Sequence, residues 1–302
     1  MPPDVIAVFG PTAVGKTGVA IELAKLLRER GEDPVAVSCD AIQVYEGLEI
    51  LSGAADRDEQ RALEHRLLGF VPVDQEFSAG RFGERAHAEI DALAEEGRRP
   101  ILVGGAGLYM RAALSELDMR PPVPAEIREA VEAEVEERGA EALHAELPAP
   151  LGETVHPRDR KRIARLTELR RAGIEPAGSS ARLWSEGLRR PTLLVGITLD
   201  RDELRARISA RVDEMLKLGA EEEVRSADAA GASRTARAAI GFGELLAGDA
   251  EGMRIAQWQY ARRQLTWMRK MRDVRQVDRT GRDDAAVAAE IAAMLDSGIL
   301  PA

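Results

Sequence analysis

The sequence predicts an α/β fold in which a parallel sheet carries a helical insertion. Short apolar runs rich in β-branched residues alternate with amphipathic helices, and the links between them are short. About 90 residues with little strand signal separate the third run from the fourth, which is too many for an ordinary crossover. These observations divide the chain into a core of residues 1–120 and 191–302 and a helical insertion of residues 121–190.

The first forty residues form one unit of strand, loop, helix and strand. Residues 5–9 are predicted as a buried strand, residues 16–30 as a helix that ends at Gly31, and residues 35–38 as a second strand. Because the links are short, we expect parallel strands joined by a right-handed crossover.

The same alternation continues toward the carboxyl end of the chain. A helix over residues 82–96 precedes a third strand at 101–103, and residues 193–199 are predicted as a fourth strand. Helices then dominate, with predicted ranges of roughly 201–218, 253–272 and 284–295.

Composition excludes several classes of protein. Of the 302 residues, 45% are hydrophobic and 31% charged, which is enough to build a core and too apolar for a disordered chain. No window approaches the roughly 20 apolar residues of a bilayer span, and the amino terminus lacks a signal-peptide pattern. A single cysteine excludes an internal disulfide, and the histidines lack zinc spacing. We therefore expect a soluble, cytoplasmic protein with no membrane partner. A monomer is a separate expectation, which composition does not test.

A glycine-rich loop follows the first strand and fits the pattern G-x-x-x-x-G-K-[ST] without a mismatch. In such a loop backbone N–H groups converge on an anion, the lysine reaches a phosphate oxygen, and the hydroxyl can ligate Mg²⁺. The pattern predicts a P-loop NTPase-like core that binds ATP, another nucleotide or a non-nucleotide diphosphate; a glycine turn that binds nothing is the alternative. The predicted phosphate-binding residues are Gly10, Pro11, Thr12, Ala13, Val14, Gly15, Lys16 and Thr17.

Asp40 follows the second strand, at the edge where ligands bind in open α/β sheets. Its carboxylate could assist Thr17 in holding Mg²⁺, through water, or it could act as a general base. A helix cap or a solvated turn residue is an equally good interpretation of this position on its own.

Six segments of the chain, in order from about Val5 to Arg272, resemble one known family, the tRNA dimethylallyltransferases or tRNA isopentenyltransferases. Those that contain Asp40 and Gln264 are more specific than the phosphate loop. The six segments are residues 10–17, 38–45, 102–109, 156–162, 239–242 and 260–267.

The resemblance implies a prenyl transfer. A five-carbon dimethylallyl group would pass from its diphosphate to the exocyclic amine of an adenine beside the tRNA anticodon. The loop would then hold the leaving diphosphate, with Lys16, Thr17 and the cofactor Mg²⁺ neutralising its charge. Asp40 would accept the proton of the amine, and the target base would leave its stack.

The resemblance also implies a set of tRNA contacts. This chain departs from the family pattern at Ala41, Ala106 and Phe242, where serine, threonine and tyrosine are usual, and residues 51–55 lack the lysine of a Gly-Thr-Ala-Lys stretch. The expected tRNA-binding residues are Asp40, Ala41, Ile42, Gln43, Ala106, Arg128, Lys161, Arg162, Arg165, Arg237, Gly241, Phe242, Arg262, Arg263 and Gln264.

The charge distribution bears on RNA binding. The net charge of −10 argues against nucleic acid, but residues 156–190 and 254–279 each carry +6 and leave −22 for the rest of the chain. Such clusters suit phosphate contacts, although a solvated face paired with acidic helices is the commoner role of a charge run.

Three other functions stay open. One is an adenylate (cytokinin-type) isopentenyltransferase, which would need no long insertion or basic platform. Another is a small-molecule P-loop kinase with Asp40 placing the acceptor hydroxyl, and the third is a non-catalytic RNA-binding protein.

Overall fold

The computed structural model describes residues 3–117, 123–174, 187–271 and 273–296. The chain divides into two compact units. The first comprises residues up to Glu116 and from Gly187 onward, and the second is the insertion, Leu117–Glu186. The insertion thus begins and ends four residues earlier than the 121–190 expected from the sequence.

The first unit is built on a six-stranded parallel sheet with the order β3-β2-β4-β1-β5-β6 within the described residues. This confirms the α/β class and the four predicted strands. Two edge strands were not predicted, because β3 has only two residues and β6 buries only Val277. The strands are β1 (Val5–Phe9), β2 (Pro34–Ser38), β3 (His65–Arg66), β4 (Arg99–Gly104), β5 (Thr192–Thr198) and β6 (Arg275–Asp278).

Some helices of this unit begin where a side chain satisfies their first N–H groups. Asp200 accepts from the N–H groups of Asp202 and Glu203, and Ser78 accepts from that of Arg81. The described helices are Lys16–Glu29, Glu49–Ser52, Arg57–Ala62, Ala79–Glu95, Gly107–Leu114, Arg201–Lys217, Ala220–Ala229, Arg234–Arg237, Phe242–Leu246, Ala250–Met268 and Asp284–Asp296. The predicted helix over 253–272 thus begins earlier and ends earlier, and its expected last residue, Arg272, lies outside the described residues.

The core of the first unit lies between the central strands and the helices that cover them. Ile6 and Val8 of β1 are fully buried with Leu23 of the Lys16–Glu29 helix and Ile291 of the Asp284–Asp296 helix. Each such side chain contributes about 1.5–3 kcal/mol by leaving water. This packing holds the strand before the phosphate loop and the helix after it in a fixed relation.

The insertion has its own small core and is helical, as expected. Val131, Val135, Leu143 and Ile163 are buried together where three of its helices meet. Its described helices are Ala125–Arg138, Ala140–Ala145, Ala149–Gly152 and Arg160–Arg171. In neither unit does a described helix combine the length and hydropathy needed to cross a membrane.

Candidate active site at the carboxyl edge of the sheet

The candidate site is assembled at one edge of the sheet. Since all six strands are parallel, the residues that follow them lie along the same edge, where ligands bind in this class of fold. The phosphate loop follows β1, Asp40 follows β2, Gly105 follows β4 and Arg279 follows β6.

The phosphate loop adopts a conformation suited to an anion. Ala13 and Gly15 have positive φ angles of 63° and 89°, and Lys16 begins the Lys16–Glu29 helix directly afterwards. The amino end of that helix carries unpaired N–H groups and the positive end of its dipole. An anion held by the loop would therefore be stabilised by backbone groups as well as by side chains.

Lys16 lies over this loop without a carboxylate partner among the described residues. Its Nζ donates to the carbonyl oxygens of Gly10 (3.1 Å) and Pro11 (2.9 Å). Burial lowers the pKa of Lys16 to about 7, the charge of Arg211 acts in the same direction, and Asp40 opposes both. A bound anion would favour the charged amine, because it would add to the small effect of Asp40 and oppose burial and Arg211.

Arg211 is a second cation of the site and is not among the residues predicted from the sequence. It comes from the Arg201–Lys217 helix, and its Nη2 donates to the carbonyl oxygen of Ser52 at 3.1 Å. Burial lowers the pKa of its guanidinium, while the charges of Asp40 and Glu59 oppose that effect. A Cβ at Gly53 would overlap this guanidinium, so the glycine leaves room for it.

Asp40 is half-buried and keeps one carboxylate oxygen open. Its Oδ1 accepts from the backbone N–H groups of Ile42 (2.9 Å) and Gln43 (3.4 Å). Within the described part of the chain no donor reaches Oδ2. One oxygen thus fixes the turn and the other can accept a proton, as a general base requires.

Two phenols lie close enough to Asp40 for its charge to act on them. Burial raises the pKa of Tyr109, with Tyr45 and Asp40 adding to the effect. Burial also raises the pKa of Tyr260, and Asp40 again adds to it. Both side chains therefore stay neutral at physiological pH and present aromatic rings near the carboxylate.

Gln43 and Tyr45 take part in the protein's own hydrogen bonds. Gln43 accepts from Ser38 Oγ at 2.7 Å and donates to the carbonyl oxygen of Gly53 at 3.1 Å. Tyr45 is 1% exposed, and its hydroxyl shares a 2.6 Å hydrogen bond with Thr235. These side chains hold the segment around Asp40 in place.

Several residues expected to bind tRNA are buried in the first unit. Gln264 is 4% exposed, and its amide accepts from the N–H of Thr12 (2.8 Å) and donates to the carbonyl of Gly105 (2.9 Å). Phe242 is 1% exposed beneath the guanidinium of Arg237. The amide and the ring thus serve internal packing and do not face solvent. Gly241 and Ala106 are also buried.

The remaining expected contacts of the first unit are more accessible. Ala41 and Ile42 are half-buried beside Asp40, and Arg262 and Arg263 are exposed. Arg237 is exposed as well, but it forms an ion pair with Asp228.

In the insertion, many basic side chains pair with acids of the same unit. Lys161 and Arg162 are exposed, and Arg165 lies 3.0 Å from Glu168. Arg128 is half-buried. Further pairs join Arg160 to Glu136, Arg158 to Glu141 and Arg171 to Glu134. The structure therefore neutralises part of the charge cluster internally, and residues 175–186 of that cluster lie outside the described residues.

The oxygen atoms at this site suit a metal ion whose remaining ligands come from a bound phosphate and water. Across the described ranges no three His, Cys, Asp or Glu side chains come together as a metal site. Thr17, in the first helical turn after the loop, offers a hydroxyl oxygen, and Asp40 offers a carboxylate oxygen. Such hard oxygen ligands, completed by phosphate and water, are typical of Mg²⁺.

Comparison with known proteins assigns the chain to a family. The model of the IPP transferase family matches residues 43–271. The tRNA dimethylallyltransferase of Thermobifida fusca is 38% identical over 283 residues, which covers 88% of this chain and 87% of that protein. That of Paenarthrobacter aurescens is 36% identical, covering 89% and 88%.

A solved structure agrees with these sequence matches. The tRNA isopentenylpyrophosphate transferase of Bacillus halodurans superposes with a TM-score of 0.68 at 29% identity, covering 97% of each chain. The resemblance of the six sequence segments is thereby confirmed. Because the family model matches more than half of this chain, the chain belongs to the IPP transferase family, the tRNA dimethylallyltransferases.

Proposed function

We propose that the protein transfers a dimethylallyl group from dimethylallyl diphosphate to the exocyclic amine of an adenine adjacent to the tRNA anticodon. One observation carries the proposal. A phosphate loop with two cations, Lys16 and Arg211, lies beside a half-buried carboxylate, Asp40, that keeps one oxygen open. The site thus combines a place for a leaving diphosphate with a base for the attacking amine.

The diphosphate would be held by the loop N–H groups, by Lys16 and by Arg211. The guanidinium of Arg211 packs against Gly53, within the segment 51–55 that lacks the lysine of the family pattern. Thr17, with Asp40 through water, would hold Mg²⁺, which would neutralise charge on the leaving diphosphate. Together these groups stabilise the charge that builds up as the carbon–oxygen bond breaks.

In the proposed transfer one bond forms, one bond breaks and one proton is accepted by the protein. The adenine nitrogen forms a bond to the first carbon of the prenyl group, and the bond from that carbon to the diphosphate oxygen breaks. The electron pair leaves with the diphosphate, and Asp40 takes the proton of the amine at Oδ2. The neutral rings of Tyr109 and Tyr260 would border the apolar prenyl chain.

The tRNA would be bound by exposed basic residues. Lys161 and Arg162 of the insertion, and Arg262 and Arg263 of the first unit, are exposed and suit phosphate contacts. Arg162 lies 3.7 Å from Asp159, a longer and weaker ion pair that a phosphate could replace. A tRNA substrate favours a cytoplasmic enzyme. Since one chain supplies the loop, the cations and the base, we also propose that it acts as a monomer.

The acceptor decides between this function and its competitors. The protein is incubated with dimethylallyl diphosphate, Mg²⁺ and either unmodified tRNA or AMP, and prenylated adenine is measured by mass spectrometry. We expect product on tRNA alone. Product on AMP alone would indicate an adenylate isopentenyltransferase. No prenyl product on either acceptor, with hydrolysis of ATP in a parallel incubation that contains ATP, would indicate a kinase.

A further inference from the structure

An ion pair contacts the backbone of the phosphate loop. Arg279 is 6% exposed, and its Nη1 donates to the carbonyl oxygens of Val14 (2.7 Å) and Gly15 (3.3 Å). The same nitrogen lies 2.7 Å from Oδ1 of Asp284. The guanidinium therefore binds two loop carbonyls and a carboxylate at once.

Two positions without side chains make room for this pair. A Cβ at Gly15 would overlap the guanidinium of Arg279, and a Cβ at Gly18 would overlap the carboxylate of Asp284. Gly15 also has a φ of +89°, which L side chains rarely adopt. The end of the loop and the first helical turn are thus shaped around the Arg279–Asp284 pair.

The two carbonyls that Arg279 holds set the direction of two amide groups. In a planar trans peptide the C=O of one residue and the N–H of the next point in opposite directions. The N–H groups opposite the Val14 and Gly15 carbonyls belong to Gly15 and Lys16. Arg279 therefore aims the Gly15 N–H away from itself. The Gly15 carbonyl also accepts from the N–H of Val19 at 3.1 Å, so the helix and Arg279 together fix the Lys16 N–H. Loops of this kind bind phosphate through such converging N–H groups.

We propose that Arg279 is a positioning residue for diphosphate binding, and that Asp284 holds its guanidinium in place. By fixing the Val14 carbonyl, and by adding to the helical hydrogen bond at the Gly15 carbonyl, Arg279 keeps the N–H groups of Gly15 and Lys16 directed at the diphosphate. Arg279 makes all three contacts through Nη1, and the carboxylate of Asp284 holds that nitrogen against the loop. The identity of the ligand as the diphosphate of the prenyl donor rests on the proposed function.

The test compares Arg279→Met with Arg282→Met. Arg282 follows the same strand and forms an ion pair with Glu290 at 2.6 Å, and its hydrogen bonds go to Asp278, Ala286 and Glu290. We expect Arg279→Met to raise the Kd for inorganic diphosphate and the KM for dimethylallyl diphosphate about tenfold over the control. The KM for tRNA should stay unchanged. Titration calorimetry, steady-state kinetics and melting temperatures give these values.

Two milder variants keep the proposal testable if Arg279→Met does not fold. Asp284→Asn and Arg279→Lys should each weaken diphosphate binding in the same direction, by less than Arg279→Met. Unchanged diphosphate affinity in these variants, or equal losses in the Arg282 control, would overturn the positioning role. The titration needs no turnover. If the wild type binds diphosphate but transfers no prenyl group, the proposed function fails while the role of Arg279 is still decided.

Discussion

Asp40 combines two tasks in one carboxylate, and a conservative substitution separates them. Oδ1 holds the N–H groups of Ile42 and Gln43, while Oδ2 stays open. Asn at this position keeps an oxygen for the two N–H groups but offers no basic oxygen. It is therefore a sharper probe than Ala, which would also release the turn.

We expect Asp40→Asn to lower the single-turnover rate of transfer about 10²- to 10⁴-fold, the usual contribution of a general base. The Kd for tRNA should stay near the wild-type value. Asp56→Asn is the matched control, because Asp56 also accepts two backbone N–H groups and caps a helix. A wild-type rate in Asp40→Asn would remove Asp40 from the role of base.

Arg211 provides a second test at the residue scale. Arg211→Met should raise the KM for dimethylallyl diphosphate about ten- to a hundredfold, since a hydrogen bond to a charged group contributes about 1.5–3 kcal/mol. Arg207, one turn earlier on the same helix, is ion-paired with Glu203 at 2.9 Å and serves as the control. Equal kinetics in Arg207→Met and Arg211→Met would exclude Arg211 from diphosphate binding.

Between elements, one amide connects three segments of the site. Gln264 of the Ala250–Met268 helix joins the phosphate loop at Thr12 to the turn after β4 at Gly105. Both of its hydrogen bonds are buried, so a group that cannot make them leaves a backbone atom unpaired. Gln264 thus explains how a distant helix fixes the shape of the loop.

Gln264→Glu tests this bridge against the tRNA contact expected from the sequence. The substitution replaces the donor to Gly105 with an oxygen, and we expect a loss of about 1–3 kcal/mol in the free energy of unfolding. Gln259→Glu, exposed on the same helix, should change stability little. Weaker tRNA binding with an unchanged melting temperature would instead favour a direct tRNA contact.

Asp91 provides a pH-dependent link between two other elements. It lies on the Ala79–Glu95 helix and accepts hydrogen bonds from Arg189 (3.1 Å) and Arg190 (2.9 Å), which precede β5. Burial alone would raise the pKa of Asp91, but these hydrogen bonds outweigh it and lower the pKa. Its carboxylate is therefore bound more favourably in the folded state than in the unfolded chain.

The sign of the pH effect follows from this lowered pKa. The stabilisation is present above the unfolded pKa of about 3.9 and is lost as the pH falls through the folded value. Because the group is partly exposed, Asp91→Asn should cost only about 1 kcal/mol at neutral pH. Urea unfolding should show that difference shrinking below about pH 4. If the difference in the free energy of unfolding persisted in acid, the packing of the side chain and not its charge would be responsible. Asp58→Asn, at an exposed position, is the control.

At the scale of the whole molecule, charge is unevenly distributed. The net charge is −10, although two segments of the chain each carry +6. Within the described residues, several arginines of the insertion pair with glutamates of that unit, so fewer cations are left for RNA than the sequence suggests. We expect tRNA binding to depend on a few exposed cations in each unit of an acidic protein.

The salt dependence of tRNA binding measures how many phosphates these cations contact. If Lys161, Arg162, Arg262 and Arg263 each contact one phosphate, log Kd for tRNA should rise with log salt with a slope of about 3–4. Lys161→Ala should reduce the slope by about 1, whereas Lys25→Ala, whose lysine is paired with Glu22, should leave it unchanged. A tRNA affinity that does not respond to salt would contradict this interpretation.

The sequence by itself determined the features that depend on neighbouring residues. The strand of residues 5–9, the phosphate loop and the helix after it follow from apolar spacing and glycine placement within thirty residues. Asp40 could be placed at the ligand edge because it directly follows a buried strand. The family resemblance used the same kind of local signal, in six short segments.

Only the tertiary structure decided which distant side chains complete the site. Strand β6 has one buried residue, so it lacks the apolar pattern that would have revealed it or placed Arg279 against the loop. Arg279 reaches a carbonyl 265 residues away, and Gln264 an N–H 252 residues away. Arg211 lies on a helix in which the spacing of apolar residues identifies only the buried face. Such contacts depend on how the sheet and helices pack, and local sequence periodicity carries no information about that packing.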